Sequence, residues 1–343
     1  MPTRAIDLRA GQCRDEAANS RTVIVGRAAA HEPAHRLSFK DLFRSHYRSF
    51  RERCRAVDEP SVIVVAIDEQ RGRVDGLLTI AARPDRVTSA IIGRHGHTHL
   101  FLEGDDSLAL RHLAVLVEPV RTWRKGSAEI AFRLLDLRSR SGFVDEAGRA
   151  LVAVRCEGTA FFRTASYALF FLAAGDPSDW PDGATDAWSL IPDRVTFDER
   201  TSRSAGDRWE ASGNSTRVSV IREPRSLENA GDSRGPIVGA LDIVSGRKRA
   251  RVPLDETALE EGVLMGRYDR CDGSTLLTDK RISRAHLLVT AIQGRTYAVD
   301  TASSNGTWLD GGLLGVAELG DRAELRFGNQ TIVSWSRSEP RSG

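Results

Sequence analysis

The sequence predicts a mainly β protein, two tandem β-sandwiches behind a short N-terminal helical segment, and three observations point there. Toward the C-terminus, Leu287, Val289 and Ala291 fall on one face of a run. Tyr297 and Val299 do the same between Thr296 and Asp300, the alternation of half-buried strands. The landmarks of this region recur in the same order upstream, the mark of an internal repeat. Ahead of both, Phe39, Phe43, Tyr47, Phe50 and Cys54 recur at helical spacing behind a capping-box-like pair, Ser38 and Asp41.

A chain of 343 residues is long enough for two domains with their own cores. Its 41% hydrophobic and 28% charged residues are ordinary for a globular protein, and a net charge of +2 does not by itself imply nucleic acid. The cysteines at 13, 54, 156 and 271 show no metal or disulfide spacing. The polar N-terminus does not read as a signal peptide, and no apolar run nears the ~20 residues of a membrane span. A cytoplasmic protein with no membrane span is expected.

Residues 1–35 read as a flexible segment and 36–71 as a basic amphipathic helix followed by a strand, Val62 to Ile67. Between Arg36 and Arg55 there are seven Lys or Arg against two acids. Such a face can serve nucleic acid or a membrane surface. The preferred reading is that the aromatic stripe packs on the next domain while the charges are solvated.

Residues 236–337 carry the chemistry. Gly266-Arg267, then Ser283-Arg284-Ala285-His286, then Ser303-Ser304-Asn305-Gly306-Thr307 each stand at a strand end or loop, where a rigid sheet can aim side chains at a ligand. An Arg, hydroxyls and an Asn suit a phosphate ester on an extended peptide. The guanidinium grips the dianion, hydroxyls donate to its oxygens, and the amide clamps a peptide backbone.

This ordered set resembles the forkhead-associated (FHA) domain, a phosphothreonine-binding β-sandwich. The resemblance implies that Arg267 is the main phosphate ligand, with Ser283 and Ser304 as further phosphate contacts. It also implies that Asn305 bonds the peptide main chain and that Arg284 has a phosphate or peptide role. Gly266, His286 and Gly306 would be framework positions, the His tying loops together rather than doing chemistry. Selectivity for phosphothreonine over phosphoserine, and for a residue a few positions after it, is likewise implied.

Residues 72–174 read as a second, degenerate FHA-like sandwich. Asp75 to Gly93 is the counterpart of Val238 to Leu254. Arg94 precedes His112 by 18 residues, as Arg267 precedes His286 by 19. Arg138-Ser139-Arg140-Ser141-Gly142 stands for Ala302-Ser303-Ser304-Asn305-Gly306. Ala109 and Ser141 replace the expected Ser and Asn, which removes a phosphate donor and the peptide clamp, each worth about 1.5–3 kcal/mol. Arg94, Arg111 and Arg140 would remain as a degenerate anion site.

Residues 175–235 read as an acidic linker, partly docked. Seven acids face one Arg between Asp176 and Glu199, while Trp180, Trp188 and Trp209 interrupt the polarity. Thr216 to Ile221 could add a strand. His95, His97 and His99 alternate as metal ligands could, but no Cys or carboxylate completes a set, and they read as a solvated loop with no metal or other cofactor. There is no G-x-S-x-G elbow, P-loop or dinucleotide fingerprint. The chain is therefore expected to be a non-enzymatic adaptor. Its partner would be a phosphothreonine-containing protein, a Ser/Thr protein kinase would act upstream, and no nucleic acid would be involved. The alternatives are a phosphate-independent scaffold, or nucleic-acid or membrane-surface binding through 36–55.

Overall fold

The structure, a computed structural model, describes residues 36–120, 130–198, 215–222 and 236–338. The expected N-terminal segment 1–35 with Cys13, and Trp209 of the linker, lie outside the described residues.

Helix α1 (Phe39–Arg55) precedes β1 (Ser61–Asp68), β2 (Arg73–Ala81), β3 (Thr88–Gly93), β4 (Leu100–Phe101), β5 (Leu113–Val117) and β6 (Ala131–Asp136). Then come β7 (Phe143–Val144), β8 (Ala150–Leu151), β9 (Ala153–Glu157), β10 (Ala160–Thr164) and β11 (Tyr167–Ala174). A single 3₁₀ turn (Pro177–Asp179), α2 (Ala184–Leu190), β12 (Asp193–Asp198) and β13 (Ser215–Arg222) follow. One sheet runs β2-β1-β11-β10-β7-β8, and the sheet facing it runs β12-β13-β9-β6-β5-β3-β4. Their inner faces enclose Val62, Val64, Leu113, Val115, Phe132, Phe162, Leu169 and Phe171.

The second sandwich comprises β14 (Ile237–Ser245), β15 (Lys248–Asp255), α3 (Glu256–Glu261), β16 (Val263–Met265), β17 (Leu287–Ile292) and β18 (Arg295–Asp300). It continues with β19 (Thr307–Leu309), β20 (Gly312–Leu313), β21 (Val316–Leu319), β22 (Arg322–Phe327) and β23 (Thr331–Arg337). Its sheets run β15-β14-β23-β22-β19-β20 and β16-β17-β18-β21. Strand for strand this is the order of the first sandwich, with β14 in the place of β1 and β16 in that of β3. The first sandwich adds β4 at one edge and β13 and β12 at the other. The mainly β expectation of two tandem sandwiches with a short helical segment is borne out.

The upstream sandwich begins earlier than residue 72. β1 lies between β2 and β11, pairing Ser61 with Ala174 and Asp68 with Tyr167. Every residue of β1 is buried. Val62, Val64 and Ala66 face the sandwich core, while Ile63, Val65 and Ile67 face the layer formed by α1. A strand covered on both faces reads as a continuous apolar run, without the alternation that marks a half-exposed one. The repeat therefore looked as if it started one strand late.

The stripe of α1, Phe39, Phe43, Tyr47, Phe50 and Cys54, packs on the outer face of that sheet with Phe161, Phe170 and Trp180. Ser38 caps the helix, its Oγ accepting from Asp41 N at 3.1 Å. Part of the basic face is engaged. Arg51 and Arg55 pair with Asp182 at 2.8 and 3.2 Å, and Arg53 Nε donates to Thr79 Oγ1 at 2.8 Å. The acidic linker thus docks on the basic helix, and Trp188 stacks on Phe161 at 5.5 Å. β13 adds antiparallel to β9, with Val218 and Val220 entering the core. Among the described residues, no helix is long and apolar enough to cross a membrane.

The two sandwiches meet through the seven-stranded sheet of the first and the four-stranded sheet of the second. Ile91, Ala114, Leu116 and Leu135 of the first share an apolar layer with Leu264, Leu288, Tyr297 and Val299 of the second. Inside it, buried Glu118 accepts from Arg133 Nε (3.3 Å), Arg155 Nε (2.8 Å) and Gln293 Nε2 (3.0 Å). Arg133 Nη1 also donates to the Ala291 carbonyl at 2.7 Å.

Candidate functional site

β16 ends at Met265, and at Gly266, the next residue, the backbone passes so close to the loop before β17 that a Cβ would lie 2.1 Å from the Arg284 carbonyl oxygen. Arg267 N donates to Ser283 O and Tyr268 N to Arg284 O, both at 3.1 Å, while His286 N donates to Met265 O at 2.9 Å. This crossing sets Arg267 beside Ser283. The Arg267 side chain is exposed, and no hydrogen bond or ion pair ties its guanidinium to another described residue; the same holds for Arg284.

The third cluster is a loop built on Asp300. Its carboxylate accepts from Ser303 N, Ser303 Oγ and Thr307 Oγ1, each at 2.7 Å. Ala302 opens the turn at φ 58° and Gly306 closes it at φ 77°, left-handed conformations that turn Ser303 inward onto Asp300 and leave Ser304 and Asn305 exposed. Ser304 N donates to the Oγ of buried Ser283 at 3.0 Å, joining the second cluster to the third. Ser304 Oγ in turn lies 3.4 Å from Arg111 Nη2. Because both hydroxyl oxygens face donors, each keeps its own proton to offer an anion. Asn305 Nδ2 donates to Arg281 O at 2.7 Å, which leaves the amide oxygen as an acceptor toward solvent.

His286 is fully buried, its ring stacked on Phe327 at 4.6 Å between centroids. Nδ1 accepts from Ser283 N at 2.9 Å, so the ring proton sits on Nε2, 3.2 Å from the Gly306 carbonyl. Both nitrogens are spent on main chain, and neither can serve as a general base for Ser283. Burial pushes the His286 pKa down to about 4 despite the opposing Asp300 charge. The unfolded chain, with its ordinary value near 6.5, binds the proton first. This stability is fully present above pH 6.5 and is lost as the pH falls toward 4, by about 2 kcal/mol at pH 5. Urea midpoints at pH 7.5 and pH 5.0 should show a larger acid loss for wild type than for His286→Asn; equal losses would clear His286 as the source.

The upstream sandwich repeats this framework. A Cβ at Gly93 would lie 2.4 Å from Leu110 O. His112 Nδ1 accepts from Ala109 N at 3.0 Å, and its Nε2 lies 3.1 Å from Gly142 O. Arg138 and Gly142, at φ 58° and 59°, take the places of Ala302 and Gly306. Ala109 and Ser141 thus occupy the positions of Ser283 and Asn305. Arg94, equivalent to Arg267, pairs with Asp106 at 2.9 Å and donates to its own loop at Leu108 O (3.3 Å). Arg140 is exposed.

Arg111 does not belong to that upstream group. It takes the place of Ala285, on the face turned to the other sandwich, and donates to Ala302 O from Nε and Nη2 at 2.9 and 2.6 Å. The three histidines flank the turn between β3 and β4. His95 Nδ1 accepts from His97 N and His99 Nδ1 from Ile91 N, both at 3.1 Å.

Arg281 and its supports were not singled out in the sequence. Its carbonyl holds Asn305, its guanidinium donates to Asn329 Oδ1, and Asp279 accepts from Arg281 N at 2.9 Å and Asn329 N at 3.2 Å. The D-x-R spacing of an Asx-type turn was the available signal.

The fold and these loops define a β-sandwich recognition module with cationic and hydroxyl donors at one end. Residues 263–328 match the family model for the FHA domain, and this part of the chain is an FHA domain. Among solved structures, the chain is similar to Mycobacterium tuberculosis Rv1747 FHA-1 (26% identity, 30% of this chain and 99% of that one, TM-score 0.25). It is also similar to the FHA domain of CT664 from Chlamydia trachomatis (18% identity, 30% and 99%, TM-score 0.27). A third is Mycobacterium tuberculosis EmbR in complex with low affinity phosphopeptide (19% identity, 30% and 26%, TM-score 0.25). No curated protein matches the chain.

Proposed function

We propose that the chain is a non-enzymatic, phosphothreonine-dependent protein-binding adaptor whose C-terminal FHA domain captures a partner phosphorylated by a Ser/Thr protein kinase. The observation that carries this reading is the unpartnered, exposed Arg267 guanidinium beside two hydroxyls, Ser283 and Ser304, each of which has a proton to donate. A phosphothreonine brings about −1.5 to −2 charges and three acceptor oxygens, which match one cation and two O–H donors. Arg284, also exposed and unpartnered, adds charge at the rim, and the Asn305 amide oxygen can accept from a peptide N–H. An unmodified Thr leaves the cation without an anion, so phosphorylation switches capture on.

The test is a phosphothreonine peptide-library pull-down with wild type and Arg267→Ala, unphosphorylated peptides alongside. Losing a charge-assisted contact worth about 1.5–3 kcal/mol should weaken capture roughly 10- to 150-fold. Equal retention of phosphorylated and unphosphorylated peptides, or an unchanged Arg267→Ala variant, would leave a phosphate-independent scaffold as the working function.

A further inference from the structure

Arg111 is 6% exposed, and its guanidinium is turned away from its own sandwich's loops. Two of its nitrogens grip Ala302 O, the residue at φ 58° where the chain turns into the phosphate loop, and Nη2 reaches toward Ser304 Oγ. A guanidinium has five donors and no acceptor, so it holds Ala302 in place and fixes Ser304 Oγ as an acceptor, with its proton turned outward. The equivalent position in the second sandwich is Ala285, whose side chain has nothing to donate.

The placement of Arg111 is rigid. β5 begins two residues after it, and Ala114 and Leu116 of that strand sit in the apolar layer with Leu288 and Val299. The titratable groups facing its guanidinium are Asp300 and His286 of the second sandwich and His95 of the first, and burial together with the Arg111 charge holds both imidazoles below their ordinary pKa. The upstream copy thus carries Ala109 and Ser141 where the other has Ser283 and Asn305, and it directs an arginine at its neighbour's loop.

We infer that Arg111 is a positioning residue of the C-terminal phosphate site, so that the reader of phosphothreonine is the two-sandwich unit rather than residues 236–337 alone. This rests on the reading of Arg267, Ser283 and Ser304 given above. Arg111 presets the 302–305 loop, and a peptide then meets a Ser304 donor that needs no ordering on binding.

The test uses the full chain and a fluorescein-labelled degenerate phosphothreonine peptide pool, with affinity read by polarisation. Arg111→Met keeps the apolar stem and removes the donors; it should bind about 5- to 30-fold more weakly. The matched control is Arg138→Met, which removes another inter-sandwich contact, to Asp272 at 3.1 Å, without touching the 302–305 loop. It should bind within about twofold of wild type if positioning rather than docking is at stake. In a Ser304→Ala background, the Arg111→Met effect should shrink, because part of it is transmitted through that hydroxyl.

Equal weakening by Arg111→Met and Arg138→Met reduces Arg111 to a staple between sandwiches and overturns the inference. So does wild-type affinity in Arg111→Met when Arg267→Ala has lost binding, an outcome that leaves the reader function standing. If Arg267→Ala binds like wild type, the reader function itself fails and the role of Arg111 falls with it. Should Arg111→Met not fold by circular dichroism, Arg111→Lys carries the test. It retains stem and charge but cannot fork onto Ala302 O, and wild-type affinity in that variant overturns the inference.

Discussion

Glu118→Ala is expected to destabilise the chain by about 3–5 kcal/mol, among the largest losses any single substitution here can produce. The carboxylate is 1% exposed and lies where the two sandwiches meet. Burial alone pushes its pKa up, but hydrogen bonds and charge from Arg155, with Arg133 and Gln293, outweigh this and hold it below the ordinary carboxylate value. Removing the carboxylate leaves Arg133, itself only 7% exposed, with an uncompensated charge between two sheets. Arg155 keeps Glu157 as a partner, so the penalty falls mainly on Arg133 and its bond to Ala291 O. Glu118→Gln retains an oxygen to accept from the guanidinium groups and should lose less, about 1–3 kcal/mol. Urea unfolding of the three proteins measures this directly. A loss below about 1 kcal/mol in Glu118→Ala would mean that water or a side-chain shift compensates Arg133, and that the apolar layer alone joins the sandwiches.

Much of the architecture was legible because turns and strand ends carry polar residues in a fixed order. Gly93, His112 and Gly142 stand in the sequence as Gly266, His286 and Gly306 do, and the folded chain gives each pair the same main-chain partners. The spacing survives because backbone clearance at the glycines and two ring nitrogens constrain those positions in both copies.

What was not legible came from tertiary burial. β1 lacks alternation because α1 covers its outer face, so the start of the first sandwich was hidden. The charge runs at 36–55 and 176–199 read separately as a solvated face and a linker, yet Arg51 and Arg55 meet Asp182. Arg111 looked like the remnant of an upstream anion site. Its direction depends on which face of the crossing it occupies, and sequence order cannot tell positions 110 and 111 apart in that respect. Arg281 was passed over because its contribution to the site, a carbonyl for Asn305, is one that every residue has.

Gly266→Ala is expected to damage stability and capture together, and Gly93→Ala provides the comparison. At Gly266 a Cβ would lie 2.1 Å from Arg284 O, 2.8 Å from its carbonyl carbon and 3.1 Å from Ala285 Cα. All three are backbone atoms, so no side chain can swing aside, and the two crossing segments must separate. Overpacking of this kind costs about 3 kcal/mol when the site cannot relax. At Gly266 the separation also pulls Arg267 away from Ser283, because the bond from Arg267 N to Ser283 O lies next to the clash. Phosphothreonine-peptide affinity should then fall at least about tenfold even under conditions where the protein remains folded. Gly93→Ala meets the same kind of wall, 2.4 Å from Leu110 O and 3.0 Å from Arg111 Cα, and should lose similar stability. Its own loops hold no free guanidinium equivalent to Arg267, since Arg94 is paired with Asp106. Any loss of affinity in Gly93→Ala must therefore travel through the displaced Arg111 and should be the smaller of the two. Unfolding midpoints and peptide affinities of both variants decide the matter. A Gly266→Ala protein as stable as wild type would show that the crossing can open without penalty, and a larger affinity loss in Gly93→Ala would place the recognition site in the upstream sandwich.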